Sequence, residues 1–461
     1  MTAAQTPPLD SVPAGRAATA ARDATTAAQT PPLDWHAGRM AERRQRFLSP
    51  ALGTFTAYDK PKAWRSGSGQ YLFDLEGRRY LDCMAQNVCI SVGYRHPGVD
   101  AAVRAQLEEI QHVTTVYDHP QPGHFAEELV ARLPAGHDWV VHFVNSGAEA
   151  IDLAVLVARL STRNFEVLSL RDAYHGMHFT AMAATGIGGA HQPLPPAPGF
   201  VNVIAPHPYR GSFGPDAPPY LAELSRVIGS ATSGALAALI VEPIQGYGGI
   251  VEMPEGYLAG AAAQVRDAGG LLIVDEVQTG FGRTGTHFWG FEAHGVVPDV
   301  IVLSKGIGNG FPIAAMVTRR EIAASMTERM FFNTYGSNPV SCAAGRAVLR
   351  AIDDEQLQAN ALRVGAAFSS AFTKLLDRHA LIGDVRGRGL LRGVELVLDR
   401  ATRAPAGHEA VRVQQLLLEA GVVVGLCGAD HNVLKINPPL CVTEGDAEML
   451  AAAVGDALAR V

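Results

Sequence analysis

A single lysine, Lys305, follows the apolar run VIVLS and precedes GIGNGFPIAAMV within residues 300–317. A charged group at the mouth of a buried strand is costly. Loss of water around the ammonium group lowers the pKa of a lysine, and the neutral amine is a nucleophile for aldehydes. The glycines after the lysine do not complete a dinucleotide-binding fingerprint, because Phe311 stands where the third glycine is needed. We therefore predict that Lys305 itself is the reactive group.

Other strand-like runs also end in groups that can hold a ligand. Asp275 ends LLIVD, Glu242 ends AALIVE, and Tyr174 and His175 follow another run in RDAYHG. Each has a structural alternative when it is taken alone. A buried carboxylate can be part of an ion pair, can cap a helix or can bind a neighbouring loop, and an aromatic residue is more often part of a core.

The sequence FVNSGAEA places Ser146, Gly147 and Ala148 at the predicted start of a helix. Backbone N–H groups at a helix N-terminus bind anions. Ser146 followed by Glu149 also fits a capping box, and taken alone the motif favours that simpler explanation.

Together these groups match the parts of one cofactor, pyridoxal 5'-phosphate. The helix start would bind the phosphate. Asp275, 30 positions before Lys305, would pair with the ring nitrogen and keep it protonated. Lys305 would bond the aldehyde carbon, give way to the substrate amine, and then act as acid and base for the substrate Cα proton.

Further residues are predicted to complete the cofactor pocket. Tyr174 and Val277 would pack on the two faces of the ring, and Gln278 would hydrogen-bond the ring hydroxyl. Glu242 and His175 are the remaining candidates for this pocket.

The elements that position these residues alternate between apolar strands and helices. Fully apolar strands indicate a sheet that is covered on both faces, and the intervening helices indicate a largely parallel α/β sheet. Ligands bind such sheets beyond the carboxyl ends of the strands. The predicted strands are Trp139–Val144, Glu166–Leu170, Val201–Ile204, Leu236–Val241, Leu271–Asp275, Val300–Ser304 and Ile313–Val317.

Composition excludes several other classes of protein. The chain has 461 residues, of which 48% are hydrophobic and 18% charged, with a net charge of -7. This mixture predicts a soluble enzyme that binds neither nucleic acid nor membrane. The histidines form no HExxH motif and the five cysteines form no CxxC motif, so we predict no metal site and a reduced, cytoplasmic protein.

The chain is predicted to have four parts. Residues 1–45 contain TAAQTPPLD twice and are expected to be a low-complexity, disordered leader, with an organellar presequence as the alternative. Residues 46–95, which include a predicted hairpin at Tyr71–Asp82, would join a small domain. Residues 96–340 would form the large cofactor-binding domain. Residues 341–461 would form the C-terminal small domain, starting with a helix that continues past Glu355.

From about Phe47 to its C-terminus the chain resembles class III pyridoxal-phosphate aminotransferases, and within them the alanine–glyoxylate aminotransferase 2 group. The resemblance is carried by NSGAEA, AYHG, VEPIQG, IVDEVQTGFGRTG, VIVLSKGIGNGFP, NTYGSNPVSCAAGRAVL and GDVRGRGL. It implies an aspartate-aminotransferase-like α/β fold, PLP fold type I, with a large seven-stranded, mostly parallel sheet domain and a small α+β domain.

The resemblance also implies an assembly and a substrate-binding residue. It implies a homodimer, or a tetramer made of two such dimers, in which Thr334 reaches the phosphate in the neighbouring active site. Arg386, in VRGRGL, matches an arginine that binds the substrate α-carboxylate, a task that suits a bidentate guanidinium. A surface strand arginine is the alternative.

Two positions bear on the substrate. Tyr247 stands where ornithine- and 4-aminobutyrate-type relatives carry a glutamate after VEPIQG, so those two activities are disfavoured. Asn87, beside Gln86, falls where relatives place a residue that contacts the substrate side chain. These amides predict either a polar substrate or a role in fixing the loop.

The predicted function is therefore transfer of an amino group from an amino acid or amine to a small 2-oxo acid, pyruvate or glyoxylate, by a ping-pong mechanism. The alternative is a phospholyase that acts on an O-phosphorylated amine such as ethanolamine phosphate or phosphohydroxylysine. Such an enzyme needs a basic cluster near the pocket mouth for its second phosphate. A catalytically idle relative is disfavoured because Asp275, Gln278, Lys305 and Arg386 are all present.

Overall fold

A computed structural model describes residues 33–54, 57–58 and 62–461. The described residues fall into two units, residues 33–54 and the described residues from 57 to 461. In the described part of the first unit, helix α1 spans Ala37–Phe47, and the His36 side chain accepts a hydrogen bond from the backbone of Arg39. The end of the predicted disordered leader is therefore helical, because its alanine, methionine, glutamate and arginine residues favour helix. The two repeats lie mainly in residues 1–32, outside the described residues.

The second unit contains strands and helices that alternate along most of the chain. The strands are β1 Ser66–Ser68, β2 Tyr71–Phe73, β3 Arg79–Asp82, β4 Trp139–Val144, β5 Glu166–Leu170, β6 Phe200–Val203, β7 Leu236–Val241, β8 Ile244–Gln245, β9 Val251–Glu252, β10 Leu271–Asp275, β11 Val300–Leu303, β12 Ala314–Arg319, β13 Ile382–Arg388, β14 Leu391–Asp399, β15 Ala404–Pro405, β16 Val422–Val423, β17 Gly425–Cys427 and β18 Val433–Ile436.

The helical segments of the second unit are α2 Ala85–Val88, α3 Pro97–Glu109, α4 Pro120–Val130, α5 Gly147–Thr162, α6 Phe179–Ala184, α7 Ala217–Ala231, α8 Tyr257–Asp267, α9 Arg320–Ala323, α10 Pro339–Asp354, α11 Leu357–Arg378, α12 Gly407–Glu419 and α13 Glu444–Leu458. Of these, α2 is a left-handed turn, because residues 85–88 all have positive φ.

The large sheet has seven strands in the order β4-β12-β11-β10-β7-β5-β6. Strand β12 runs antiparallel to β4 and β11, and the other neighbours are parallel. The carboxyl ends of β4, β5, β7, β10 and β11 therefore lie at one edge of the sheet. This confirms the predicted seven-stranded, mostly parallel α/β fold.

Both faces of the large sheet are buried, as the apolar strands predicted. Strand β7 shows the alternation: Leu239 and Val241 pack into the core that includes α8, and Ile240 packs into the core that includes α5. The strand bounds differ slightly from prediction at β6, β11 and β12, because apolar runs do not mark the last hydrogen-bonded residue.

Two smaller sheets involve the C-terminal part of the chain. Strands β13, β14, β18 and β17 form an antiparallel sheet, with β15 added beside β14. Strands β2 and β3 form the predicted hairpin, and β3 also pairs with β16. Residues of the predicted 46–95 segment thus share a sheet with C-terminal residues, although the domain limits themselves stay a prediction.

The helix expected to continue past Glu355 ends before it. Helix α10 stops at Asp354, Gln356 adopts φ 54°, and α11 begins at Leu357. A left-handed residue ends a helix, but glycine is its usual marker, and here the sequence offers none. Among the described residues, no helix is both long enough and apolar enough to cross a membrane.

The packing of α10 on α4 depends on a glycine. A Cβ at Gly345 would lie 2.3 Å from the ring of Phe125, which is fully buried. We expect Gly345→Ala to lower the free energy of unfolding of the apoenzyme by about 1–3 kcal/mol through overpacking. Urea unfolding at fixed protein concentration measures the change.

Gly229→Ala is the matched control. Gly229 also lies in a helix, α7, but a Cβ there meets no atom within 4 Å. Alanine should therefore stabilise the protein by up to about 1 kcal/mol through helix propensity. Equal effects of the two substitutions would contradict the packing argument.

Candidate active site

A cavity of about 470 Å³ lies at the carboxyl edge of the large sheet. All ten residues predicted to line a cofactor pocket within one subunit border it. They are Ser146, Gly147, Ala148, Tyr174, His175, Glu242, Asp275, Val277, Gln278 and Lys305. The parallel strands bring these residues together from positions up to 159 apart in the sequence (146 to 305).

Lys305 follows β11 and has a left-handed backbone, with φ 50°. Its amine has no hydrogen-bond or ion-pair partner among the residues that the structure describes. Burial lowers the pKa of Lys305, and electrostatic interactions with Cys89, Asp275 and Glu242 only partly oppose this shift. A desolvated amine at a strained position is what a nucleophilic lysine requires.

Asp275 is held from two sides at the end of β10. His175 Nδ1 lies 2.8 Å from Asp275 Oδ2, and the Val277 backbone N–H donates to Oδ1 at 3.0 Å. The carboxylate is 4% exposed. Its donors fix its orientation, so Asp275 can present a negative charge to a protonated ring nitrogen. His175 contacts Asp275 directly, so any effect of His175 on a ring nitrogen paired with Asp275 would pass through that carboxylate.

Glu242 also borders the cavity and binds the backbone of two neighbouring segments. Its carboxylate accepts hydrogen bonds from the backbone N–H groups of Tyr174 at 3.0 Å and Gly246 at 2.8 Å. Burial raises the pKa of Glu242. Because Glu242 holds the backbone of Tyr174, it places that aromatic ring beside the cavity.

The ring of Tyr247 packs against the ring of Tyr174, and Tyr247 does not border the cavity. The centroids of the two rings are 5.7 Å apart, with a tilt of 45°. Burial raises the pKa of both phenols, so neither offers a negative charge at neutral pH. This agrees with the absence of a switchable glutamate at position 247.

Residues Ser146–Ala148 form the start of α5. The Ser146 side chain accepts a hydrogen bond from the Glu149 backbone N–H at 3.3 Å, so Ser146 is an N-cap; the Glu149 carboxylate accepts from the backbone N–H of Asn145 and not from that of Ser146, so the capping box itself is not formed. The same residues border the cavity, and a helix N-terminus also favours an anion there. The two explanations are therefore compatible.

Gln278 borders the cavity, and only the oxygen of its side-chain amide has a hydrogen-bond partner among the described residues. Its Oε1 accepts a hydrogen bond of 2.7 Å from Lys435 Nζ, while Nε2 has no protein partner among the described residues. A Cβ at Gly246 would lie 2.2 Å from Nε2, so the glycine makes room for the amide.

Four predicted substrate or cofactor residues lie outside the lining of this cavity: Tyr247, Asn87, Thr334 and Arg386. Asn87 sits in the left-handed turn α2 and accepts a 3.4 Å hydrogen bond from Lys435, which favours the loop-fixing alternative. Thr334 is exposed. Both assignments stay predictions.

Arg386 is engaged by other protein groups. Its Nη1 lies 2.8 Å from Asp384 Oδ2 and 2.6 Å from Glu395 Oε2, and its Nε and Nη2 donate to the Gly249 carbonyl. A role in substrate binding would require Arg386 to release some of these partners. The predicted carboxylate contact therefore has no geometric support in this arrangement and stays a prediction.

The residues present fit pyridoxal phosphate. The Lys305 amine and Gln278 Nε2 are polar groups at the cavity without protein partners, the N-terminus of α5 is open to an anion, and Asp275 is oriented by two donors. These are the contacts that an aldehyde, a ring hydroxyl, a phosphate and a ring nitrogen need.

Several residues that border the cavity, and one residue that contacts Gln278, were not predicted from the sequence. The missed lining residues are Cys89, Asn145, Gly176, Met177, His178, Ser304 and Gly310–Ile313. Lys435 contacts Gln278 and does not border the cavity itself. The sequence contained a feature that could have identified it, because Lys435 is the one charged residue in the mainly apolar run NVLKINPPL. The same argument that identified Lys305 applies to it.

We expect Lys305→Ala to remove covalent attachment of the cofactor. In the unmodified chain, borohydride treatment should fix the pyridoxyl group to the peptide that contains residue 305. Peptide mass spectrometry locates the label. Lys374→Met removes an exposed lysine and serves as the control. A label on any other lysine of the unmodified chain would disprove the assignment.

Comparisons with known proteins agree with this geometry. The aminotransferase class-III family model matches residues 57–458. The chain is 44% identical over 428 residues to alanine–glyoxylate aminotransferase 2 homolog 2, mitochondrial, of Arabidopsis thaliana, covering 91% of this chain and 87% of that protein. It is 37% identical to the mitochondrial alanine–glyoxylate aminotransferase 2 of Homo sapiens, with 92% and 86% covered.

Solved structures show the same fold. A phospholyase from Arthrobacter in complex with phosphoethanolamine has a TM-score of 0.84 and 33% identity, covering 92% of this chain and 100% of that one. An amine transaminase from an uncultivated Pseudomonas species, bound to pyridoxal phosphate, has a TM-score of 0.83 and 32% identity, with 90% and 98% covered. The chain belongs to the class III aminotransferases and is a pyridoxal-phosphate-dependent transaminase.

Proposed function

We propose that the chain moves an amino group from an amino acid or amine to a small 2-oxo acid, pyruvate or glyoxylate, by a ping-pong mechanism. The convergence of Lys305, Asp275 and Gln278 on one cavity carries this proposal. The acceptor is proposed from the names of the plant and human relatives, together with the tyrosine at position 247.

Pyridoxal phosphate, when bound, draws electrons from the substrate carbon that loses its proton. The chain supplies the proton transfer and the orientation. Because burial lowers its pKa, the Lys305 amine is more readily neutral near pH 7, and it can take the proton from the substrate Cα and later return it. Asp275 holds the ring-nitrogen proton, and the N-terminus of α5 anchors the phosphate.

A phospholyase is the second candidate, and the similarity to the Arthrobacter enzyme favours it. Its phosphorylated substrate needs cationic groups at the cavity. Among the described lining residues the basic side chains are Lys305, His175 and His178. None of the described residues that line the cavity is an arginine. This supports the transaminase over the lyase, because the lyase would need cations for the substrate phosphate.

A half-reaction distinguishes the two. Adding L-alanine to the holoenzyme should convert the cofactor to its aminated form, seen as loss of the visible absorbance, and pyruvate or glyoxylate should restore the original spectrum. Lys305→Ala should do neither. If ethanolamine phosphate is consumed with release of inorganic phosphate while alanine leaves the spectrum unchanged, the lyase is correct.

We also propose that the chain is a homodimer in which Thr334 contributes to the neighbouring site. Thr334 does not border the cavity of its own chain. The adjacent apolar side chains are exposed: Met330 by 95%, Tyr335 by 63% and Phe332 by 48%. A second copy of the chain would cover them, since contiguous exposed apolar groups mark interfaces.

Mixed dimers test this arrangement. Thr334→Ala homodimers should bind pyridoxal phosphate about tenfold more weakly through loss of a hydrogen bond to phosphate. A mixed dimer of Lys305→Ala and Thr334→Ala subunits should regain one site of normal affinity, because the intact lysine then faces an intact threonine.

Equilibrium binding to the apoenzyme measures these affinities, with Thr327→Ala at another exposed threonine as control. Weak binding in the mixed dimer would mean that Thr334 serves its own site. A monomer by sedimentation would reject the assembly itself.

The cytoplasmic location stays a prediction from the sequence. The plant and human relatives are named as mitochondrial, which is a statement about those proteins. Residues 1–32, where a presequence would lie, are outside the described residues.

A further inference from the structure

A second lysine is buried beside the candidate active site. Lys435 lies in the centre of β18 and is 2% exposed. Its partners on the two neighbouring strands are both glycines, Gly393 in β14 and Gly425 in β17. A Cβ at Gly425 would contact the Lys435 side chain at 3.5 Å. This distance is an ordinary van der Waals contact, and Lys435 has small residues beside it on both neighbouring strands.

The ammonium group of Lys435 contacts two amide oxygens. It donates to Gln278 Oε1 at 2.7 Å and to Asn87 Oδ1 at 3.4 Å. An ammonium group can only donate hydrogen bonds, so the atom of Gln278 that faces it must be the oxygen. The nitrogen of the same amide is then available to the cavity.

The turn that carries Asn87 is held in place by its own contacts. Residues 85–88 all have φ between 48° and 71°, a conformation that costs roughly 1–2 kcal/mol per residue. Asp82 accepts hydrogen bonds from the backbone of Met84 and Ala85 at 2.9 Å, and Asn437 Nδ2 donates to the Met84 carbonyl at 3.2 Å. A strained segment persists only when its surroundings determine it in this way.

Burial and the nearby cations oppose the protonation of Lys435, while Cys427 and Glu242 favour it. Burial, and then the positive charge of Lys305, lower the pKa of Lys435 to about 8. The other charged or titratable groups that act on it are Cys427, Glu242 and Arg283. Two buried lysines close to each other are electrostatically unfavourable. The second lysine, Lys435, contacts Gln278, and we infer that this contact is its role.

We propose that Lys435 is a positioning residue for the cofactor: it fixes the Gln278 amide so that Nε2 donates to the ring hydroxyl oxygen. This rests on the proposed placement of the cofactor ring against Gln278. A hydrogen bond to that oxygen stabilises its ionised form and weakens its hold on the proton shared with the Lys305 nitrogen. Lys435 therefore lowers the pH at which this proton is lost, through Gln278.

The pH midpoint of the visible absorbance of the resting holoenzyme tests the proposal without any amino donor, so the result is independent of the proposed substrate. Lys435→Met, which removes the donor, should raise the midpoint by about one pH unit. Lys435→Arg, which keeps a donor, should restore a midpoint near that of the unmodified chain. Lys374→Met, at an exposed lysine, should have no effect.

A double-substitution cycle shows whether Lys435 acts through Gln278. Gln278→Leu should raise the midpoint by itself, and adding Lys435→Met should then change it little. An undiminished effect of Lys435→Met in the Gln278→Leu background would overturn the proposal, since the lysine would then act directly by its charge.

Two other results would also overturn it. In the first, Lys435→Met leaves the midpoint unchanged and raises KM only for substrates that carry a carboxylate or phosphate. Lys435 would then contact the substrate and not position the cofactor. The other is an unchanged midpoint in Gln278→Leu, a test that holds even if the Lys435→Met protein does not fold.

Discussion

The structure depends on keeping one amine desolvated at the end of a buried strand. Lys305 follows β11, in the middle of a sheet whose two faces are covered by apolar side chains, and no protein group among the described residues neutralises it by direct contact. The loss of water that makes this position costly also lowers the pKa of Lys305. Reactivity and electrostatic cost therefore have the same origin.

The neighbouring carboxylates are arranged so that they do not quench this amine. Asp275 is occupied by His175 and by the Val277 backbone, and Glu242 by the backbone of Tyr174 and Gly246. Each negative charge is spread over donors that also fix its direction. The sheet can therefore hold an acid and a nucleophile in one cavity without forming a direct ion pair between them.

Two residues that the resemblance assigned to the site lie outside the cavity of one chain. Arg386 is bound to Asp384, Glu395 and the Gly249 carbonyl, and Thr334 lies at the surface among exposed apolar side chains. The cavity, by contrast, is bordered mainly by residues at and just after the strand ends of one sheet. The exposed position of Thr334 agrees with the proposed dimer, in which this residue reaches the phosphate of the neighbouring site.

The sequence by itself determined the parallel sheet and the cofactor pocket. Apolar runs that end in polar residues identify buried strands and their carboxyl ends, and parallel strands must bring those ends to one edge. For that reason Lys305, Asp275, Glu242 and Ser146 were found from local patterns alone. The helical end of the predicted leader was missed although its residues favour helix. The helix break at Gln356 was missed because no glycine marks it.

Only the tertiary structure decided which residues contact one another across distant segments. The contact of Arg386 with the Gly249 carbonyl, that of Asn437 with Met84 beside the left-handed turn, and that of Lys435 with Gln278 all join segments far apart in the chain. Motifs record residue types and not these pairings. A side chain's partners follow from packing and hydrogen-bond geometry, which exist only once the chain has folded.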